Sequence, residues 1–108
     1  MDVKTLMEKL DLKLLCGDNL SGEIKGCYCG DLLSWVMSRA QEKDVWLTVM
    51  GNINSIGVAV LADVACIVLT ENAALDADAL ERAKQNGVVI LQTDKNTYQT
   101  AAAVSKLI

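Results

Sequence analysis

The chain has 108 residues, 52% of them hydrophobic and 22% charged, so we expect one folded domain over residues 1–108 and no disordered chain. The net charge is −4 and the ten basic residues are scattered, which argues against nucleic-acid binding. The chain contains no histidine, so a Ser–His or Cys–His catalytic pair is excluded.

The first quarter of the chain predicts one helix and two strands. Asp2 can cap a helix whose apolar positions recur at helical spacing and which ends near Leu10. Residues 12–16 form a short apolar run that ends at glycine, aspartate and asparagine, as a strand does when it leaves a sheet. Residues 24–29 have glycine on both sides and predict a second strand.

The next segment predicts a capped helix followed by a strand. Asp31 follows a glycine and precedes apolar residues at helical spacing, so we expect it to cap the helix. Trp35 falls opposite the apolar stripe of that helix. Residues 45–50 are rich in β-branched and aromatic side chains and predict a third strand, which ends at Gly51 and Asn52.

Residues 53–62 predict a helix that is apolar almost all round. Its only polar side chains are Asn54 and Ser55, so its outer side should not face water and something must cover it. The following run, residues 65–69, is continuously apolar. Such a run is typical of a strand that is buried on both faces, and we expect it at the centre of the sheet.

The C-terminal part of the chain continues this alternation of strands and helices. Asp76 is placed to cap the helix Ala77–Asn86, and Gly87 is placed to end it. Residues 88–91 predict a fifth strand and residues 96–107 a closing helix. The pattern predicts a single α/β domain with a mainly parallel sheet of about five strands and helices on both faces.

Two patterns that could carry chemistry are incomplete. The glycine spacing of residues 17–22 is that of a phosphate-binding loop, but Glu23 and Ile24 stand where a lysine and a hydroxyl residue are required. The cysteines lack the paired spacing of a metal knuckle, so we expect buried, reduced thiols, no metal site and no cofactor. The four cysteines are Cys16, Cys27, Cys29 and Cys66.

Turns where strands end and helices begin offer the best place for a small anionic ligand. Helix N-termini present free N–H groups there, and ligands of open α/β sheets usually bind beyond the carboxyl ends of the strands. A capped turn without a ligand is the alternative interpretation. The predicted ligand-binding residues are Asp31, Ser34, Thr48, Gly51, Asn52 and Asn54.

Five segments together resemble a known family. They are GDLLS (30–34), DVWLT (44–48), GNIN (51–54), ACIVL (65–69) and VVILQT (88–93). In this order and spacing the chain resembles the DRTGG domain family over almost its whole length, although the motif Asp-Arg-Thr-Gly-Gly itself is absent. The resemblance implies a regulatory or interaction role, usually as a homodimer, without demonstrated catalysis.

Two functional hypotheses follow. The first is a non-catalytic, cytoplasmic module that regulates or binds a partner protein encoded nearby and acts as a homodimer, because aromatic and apolar surface is enriched at interfaces. The alternative is a sensor that binds a nucleotide or another anionic metabolite at the strand-to-helix turns. We expect a cytoplasmic location, since the N-terminal residues lack the regions of a secretory signal. We expect no membrane attachment, since polar residues interrupt the longest uncharged run, Val45 to Ala62. The predicted dimer interface consists of Trp35, Ile53, Ile56, Val58, Ala59 and Ala62.

Overall fold

Strands and helices alternate along most of the chain in the computed structural model, which describes residues 1–108. The strands are β1 (Lys13–Cys16), β2 (Gly26–Cys29), β3 (Asp44–Thr48), β4 (Cys66–Leu69) and β5 (Ile90–Gln92). The helices are α1 (Val3–Lys9), α2 (Leu33–Arg39), α3 (Ile53–Ala62), α4 (Ala77–Asn86) and α5 (Thr97–Ser105).

The five strands form one sheet in the order β1-β5-β4-β3-β2. The four strands β2 to β5 are parallel, and only β1 runs antiparallel to its neighbour β5. The expectation that residues 65–69 lie at the sheet centre is confirmed, because β4 is the middle strand and is fully buried. The predicted fold, a mainly parallel sheet in an α/β domain, is confirmed as well.

Each face of the sheet carries its own hydrophobic core, since successive strand residues point to opposite faces. Trp46, Ile67 and Ile90 pack against α2, α3 and α4 on one face. Leu47 and Leu91 pack against α1 and α5 on the other face. The predicted placement of helices on both faces is therefore confirmed.

Three predicted helix boundaries are confirmed by their capping contacts. The Asp2 carboxylate accepts a hydrogen bond from the Thr5 backbone N–H at 2.8 Å. Gly87 ends α4 in the left-handed conformation, at φ 66°, which glycine adopts without steric cost. Asn96 and Gln99 form a reciprocal capping box at the start of α5.

One predicted cap is corrected by the structure. Leu32, rather than Asp31, is the N-cap of α2, and its side chain makes no capping hydrogen bond. Asp76 is the N-cap of α4 as predicted, although its side chain makes no capping hydrogen bond. Asp31 fails as a cap because its carboxylate is bonded to β3 instead.

Two predicted strands are shorter than expected because other groups take their terminal N–H donors. The third strand ends at Thr48, since the Val49 N–H bonds to Asp31 and the Met50 N–H bonds to the Thr48 hydroxyl. At the start of the second predicted strand, the Ile24 N–H bonds to the carbonyl of Met1 and lies outside β2.

Helix α3 lies between α2 and α4 and contacts both of them. Its side that faces the sheet is buried, whereas Val60 and Leu61 remain exposed on the outside. Within the chain, the apolar surface of this helix is therefore covered only in part. No helix combines the length and the apolar character that crossing a bilayer requires.

Candidate functional site

The predicted ligand site lies where β3 ends, and Asp31 forms its structural centre. The Asp31 carboxylate accepts hydrogen bonds from the Thr48 hydroxyl at 2.7 Å and from the Val49 N–H at 3.0 Å. The fully buried Thr48 hydroxyl also accepts a bond from the Met50 N–H at 3.2 Å. The hydroxyl is thus already engaged as both donor and acceptor within the fold.

The turn that follows β3 is fixed by the cap of α3. The Asn52 side-chain oxygen accepts a bond from the Ser55 N–H at 3.1 Å, which makes Asn52 the N-cap. The Ser55 hydroxyl is buried and donates to the Met50 carbonyl at 2.6 Å. The Asn52 oxygen is therefore used to start the helix.

Gly51 is required by packing between two loops. A side chain at this position would overlap the carbonyl oxygen of Ala74, which belongs to the loop before α4. The Gly51 carbonyl in turn accepts a bond from the Asp76 N–H at 2.8 Å. The space that the missing side chain of Gly51 leaves is therefore filled by the backbone of Ala74.

The structure thus brings together four of the six predicted ligand residues, namely Asp31, Thr48, Gly51 and Asn52, but uses them to hold the fold. Ser34 and Asn54 are exposed and lie in the first turns of α2 and α3. The side chains of Ser34 and Asn54 face solvent and take no part in the hydrogen bonds that hold this edge of the sheet together. Ligand binding at this edge stays a prediction.

The predicted dimer interface is divided by the structure. Trp35 is 51% exposed, and the Arg39 guanidinium lies 3.8 Å from the centre of its ring. Ile56, Val58 and Ala59 are buried in the chain's own core, so the expectation that they form an interface is wrong. The two remaining residues, Ile53 and Ala62, are half-buried.

Cys27 and Cys29 lie two residues apart on the edge strand β2, and their thiols perturb each other. A hydrogen bond from the Cys27 thiol lowers the pKa of Cys29 to about 7 and raises the pKa of Cys27. Burial raises the pKa of Cys66 to about 12 and also raises that of Cys16. Cys29 is exposed rather than buried as the sequence predicted, and we expect it to be the most reactive thiol of the chain.

A cleft that the sequence did not indicate lies between α1 and α5. It measures about 350 Å³, and its lining includes three lysines, Lys9, Lys95 and Lys106. These residues are spread over almost the whole chain, so no local motif could join them. Only the fold brings the end of α1 and the loop after it next to the C-terminal helix.

Comparison with known proteins identifies the family. The family model of the DRTGG domain matches residues 5–107. The chain belongs to the DRTGG domain family. The resemblance inferred from the five sequence segments is thereby confirmed. No curated protein matches this DRTGG domain.

A solved structure shares the fold of this DRTGG domain. It comprises the CBS and DRTGG domains of the regulatory region of Clostridium perfringens pyrophosphatase, in complex with the activator diadenosine tetraphosphate. The TM-score is 0.74 at 9% sequence identity, so the likeness shows the fold alone. The match covers 94% of this chain and 45% of that chain, and this DRTGG domain thus spans less than half of that protein's structure.

Replacing Asp31 by alanine should destabilise the DRTGG domain. The change removes the acceptor of two hydrogen bonds and leaves the buried Thr48 hydroxyl without an acceptor for its proton. Hydrogen bonds to charged groups contribute about 1.5–3 kcal/mol each, so we expect the free energy of unfolding to fall by at least about 2 kcal/mol. Urea denaturation measures the loss. Asp94→Ala, which removes an exposed carboxylate without a hydrogen bond, is the control, and an equal effect of both changes would contradict the structural role.

Cys29 should react with iodoacetamide faster than any other thiol, with a rate that reaches half its maximum near pH 7. Below that pH the thiolate is protonated and the rate falls. Peptide mass spectrometry after timed alkylation at several pH values gives the profile. In the Cys27→Ala variant the hydrogen-bond donor is lost, so the midpoint should rise toward the ordinary value of about 8.5. Identical profiles in the two proteins would show that Cys27 does not act on Cys29.

Proposed function

We propose that the chain is a cytoplasmic, non-catalytic regulatory module that acts as a homodimer through the outer side of α3. Membership in the DRTGG family and the regulatory region of the similar pyrophosphatase support a regulatory role. The observation that carries the proposal is the exposed apolar stripe along α3, in which Leu61 is 72% exposed. A large apolar side chain of this exposure next to other apolar surface is typical of an interaction site.

The stripe continues onto α2. Met37 is 49% exposed and lines, with Leu33, Ile53 and Leu61, a groove of about 530 Å³ between the two helices. Val60 extends the apolar surface toward α4. We call the residues Leu33, Met37, Ile53, Gly57, Val60 and Leu61 the α2–α3 face. This set replaces the buried residues of the original interface prediction and keeps Ile53.

Trp35 does not belong to the α2–α3 face. Residues two positions apart on a helix point to different sides, so Trp35 faces away from Met37 and Leu33. Its ring is also partly covered by Arg39. An interface on the α2–α3 face therefore does not require Trp35.

Gly57 lies in the middle of the stripe and has no role within the single chain. A side chain at this position would meet nothing within 4 Å. Glycine in a helix interior costs about 1 kcal/mol relative to alanine, so its presence on the outside of α3 calls for a reason beyond the chain itself. A closely approaching partner would supply that reason.

A second copy of the chain is the partner that fits this surface. Gly57 and Leu61 lie one helical turn apart on the same side of α3. In a two-fold arrangement of antiparallel α3 helices, Leu61 of each protomer can pack over the bare backbone at Gly57 of the other. A two-fold interface requires this kind of self-complementary surface.

Two variants should weaken the dimer without destabilising the single chain. Leu61→Asp places a charge in the interface and should give a monomer by light scattering, with its fold retained because Leu61 is exposed. Gly57→Gln fills the notch and should weaken dimerisation at least tenfold, while its better helix propensity stabilises the isolated chain by about 0.5–1 kcal/mol. Sedimentation equilibrium and urea denaturation measure the two effects.

The control for both variants is Tyr98→Asp. Tyr98 is 81% exposed on α5, on the opposite face of the sheet, so this change should leave the association constant unaltered. A wild-type protein that is monomeric at high micromolar concentration would overturn the proposal. A dimer that persists in both Leu61→Asp and Gly57→Gln would place the interface elsewhere.

The second candidate function is the sensing of a nucleotide or another anionic metabolite. It is favoured by the nucleotide activator in the similar pyrophosphatase structure and by the solvent-facing Ser34 and Asn54 at two strand-to-helix turns. A ligand that binds the folded chain raises its melting temperature with concentration. We expect such a rise with a nucleotide, and its reduction in Ser34→Ala and Asn54→Ala if the turns form the site. A flat response to nucleotides and phosphorylated metabolites would dispose of this candidate.

A further inference from the structure

The cleft between α1 and α5 concentrates positive charge in an acidic protein. Three of the ten basic residues, Lys9, Lys95 and Lys106, line it, whereas the chain as a whole carries a net charge of −4. Asp11 is the only acidic residue in the lining. The single salt bridge of the structure joins Lys43 and Glu23, so the three lysines of the cleft have no ionic partner.

Hydrogen bonds fix the walls of the cleft independently of any ligand. The Lys95 carbonyl accepts a bond from the Glu71 N–H at 2.8 Å, and the Lys95 N–H donates to the Thr93 hydroxyl at 3.3 Å. On the α5 side, Gln99 is held by the capping box with Asn96. Most ligand sites are similarly formed before the ligand arrives.

The lining combines charge with apolar surface. Leu10, Leu12 and Leu107 lie beside the lysines. A volume of about 350 Å³ lies at the lower end of the range for small-molecule sites. Lysine ammonium groups bind phosphate as compact point charges, while the leucines favour an uncharged, apolar or planar part of the same ligand.

We propose that this cleft binds a phosphorylated small molecule with an apolar part, of which a nucleotide is the example. The site lies apart from Ser34 and Asn54, on the face of the sheet opposite to the α2–α3 face. The proposal rests on the second candidate function, the sensing of an anionic metabolite, and places the ligand in this cleft instead of at the strand-to-helix turns. It does not depend on self-association.

Titration calorimetry with ATP, inorganic pyrophosphate and adenosine tests the cleft. In wild-type protein ATP should bind most tightly, pyrophosphate more weakly and adenosine weakest, because the phosphates meet the lysines and the base meets the leucines. The double variant Lys95→Gln/Lys106→Gln should bind ATP at least tenfold more weakly. Lys25→Gln/Lys84→Gln is the matched control, since it makes the same change in net charge at exposed positions outside the cleft, and it should alter affinity less than twofold.

The outcomes separate this site from the other proposals. If both double variants lost the same ATP affinity, the loss would be due to net charge alone and the proposed cleft site would be wrong. Full ATP affinity in Lys95→Gln/Lys106→Gln would also show that the cleft is not the binding site. A loss of binding in Asn54→Ala with retention in the lysine variant would return the ligand to the strand-to-helix turns. If none of the three compounds bound at millimolar concentration, both proposed ligand sites would be wrong. That result would not bear on the proposed homodimer, which light scattering tests separately.

Discussion

The contact between the Asp31 carboxylate and the end of β3 links the two segments from which helices α2 and α3 begin. Asp31 lies just before α2, and its two bonds to Thr48 and Val49 tie that loop to the turn before α3. The Trp46 indole N–H strengthens the same connection by donating to the Gly30 carbonyl at 2.9 Å. These bonds join the segments that precede α2 and α3, and the two helices then pack against each other with the groove between them.

The apolar surface of α3 exceeds what its position in the fold can bury. Its inner side packs on Trp46 and Ile67, and its flanks meet α2 and α4. Leu61 and Val60 lie beyond the reach of these neighbours, whereas a helix that served the core alone would carry polar residues there. Selection for the monomer fold gives no reason for this surplus, and none for Gly57 beside it. The proposed self-association accounts for both, because it brings a partner close to the helix.

Local signals in the sequence predicted the elements that depend on local interactions. Asp2, Gly87 and Asn96 act within one turn of their own helices, and each was recognisable from its neighbours in the chain. The central position of β4 also followed, because a continuous apolar run is typical of a strand that helices cover on both faces. These features fixed the fold class without any knowledge of the contacts between distant residues.

The candidate sites depend on contacts between residues that are far apart in the chain. Asp31 has the surroundings of a helix cap, and only the approach of Thr48, 17 positions later, shows that its carboxylate is used elsewhere. Ile56, Val58 and Ala59 are indistinguishable in the sequence from their exposed neighbour Leu61, since an evenly apolar helix does not reveal which side meets the sheet. Lysines scattered along the chain likewise gave no sign that some would share a cleft.

The two proposed surfaces lie on opposite faces of one sheet, which constrains how they can communicate. A ligand between α1 and α5 does not compete for space with a protomer on the α2–α3 face, so any influence of one on the other must pass through the strands. The strand ends provide a continuous connection, because the Thr93 N–H bonds to the Leu69 carbonyl and the Thr70 N–H bonds to the Thr48 carbonyl. Coupling between two binding events is reciprocal. A ligand that strengthens self-association must therefore bind the dimer more tightly than the monomer, and one that binds monomer and dimer equally cannot regulate association.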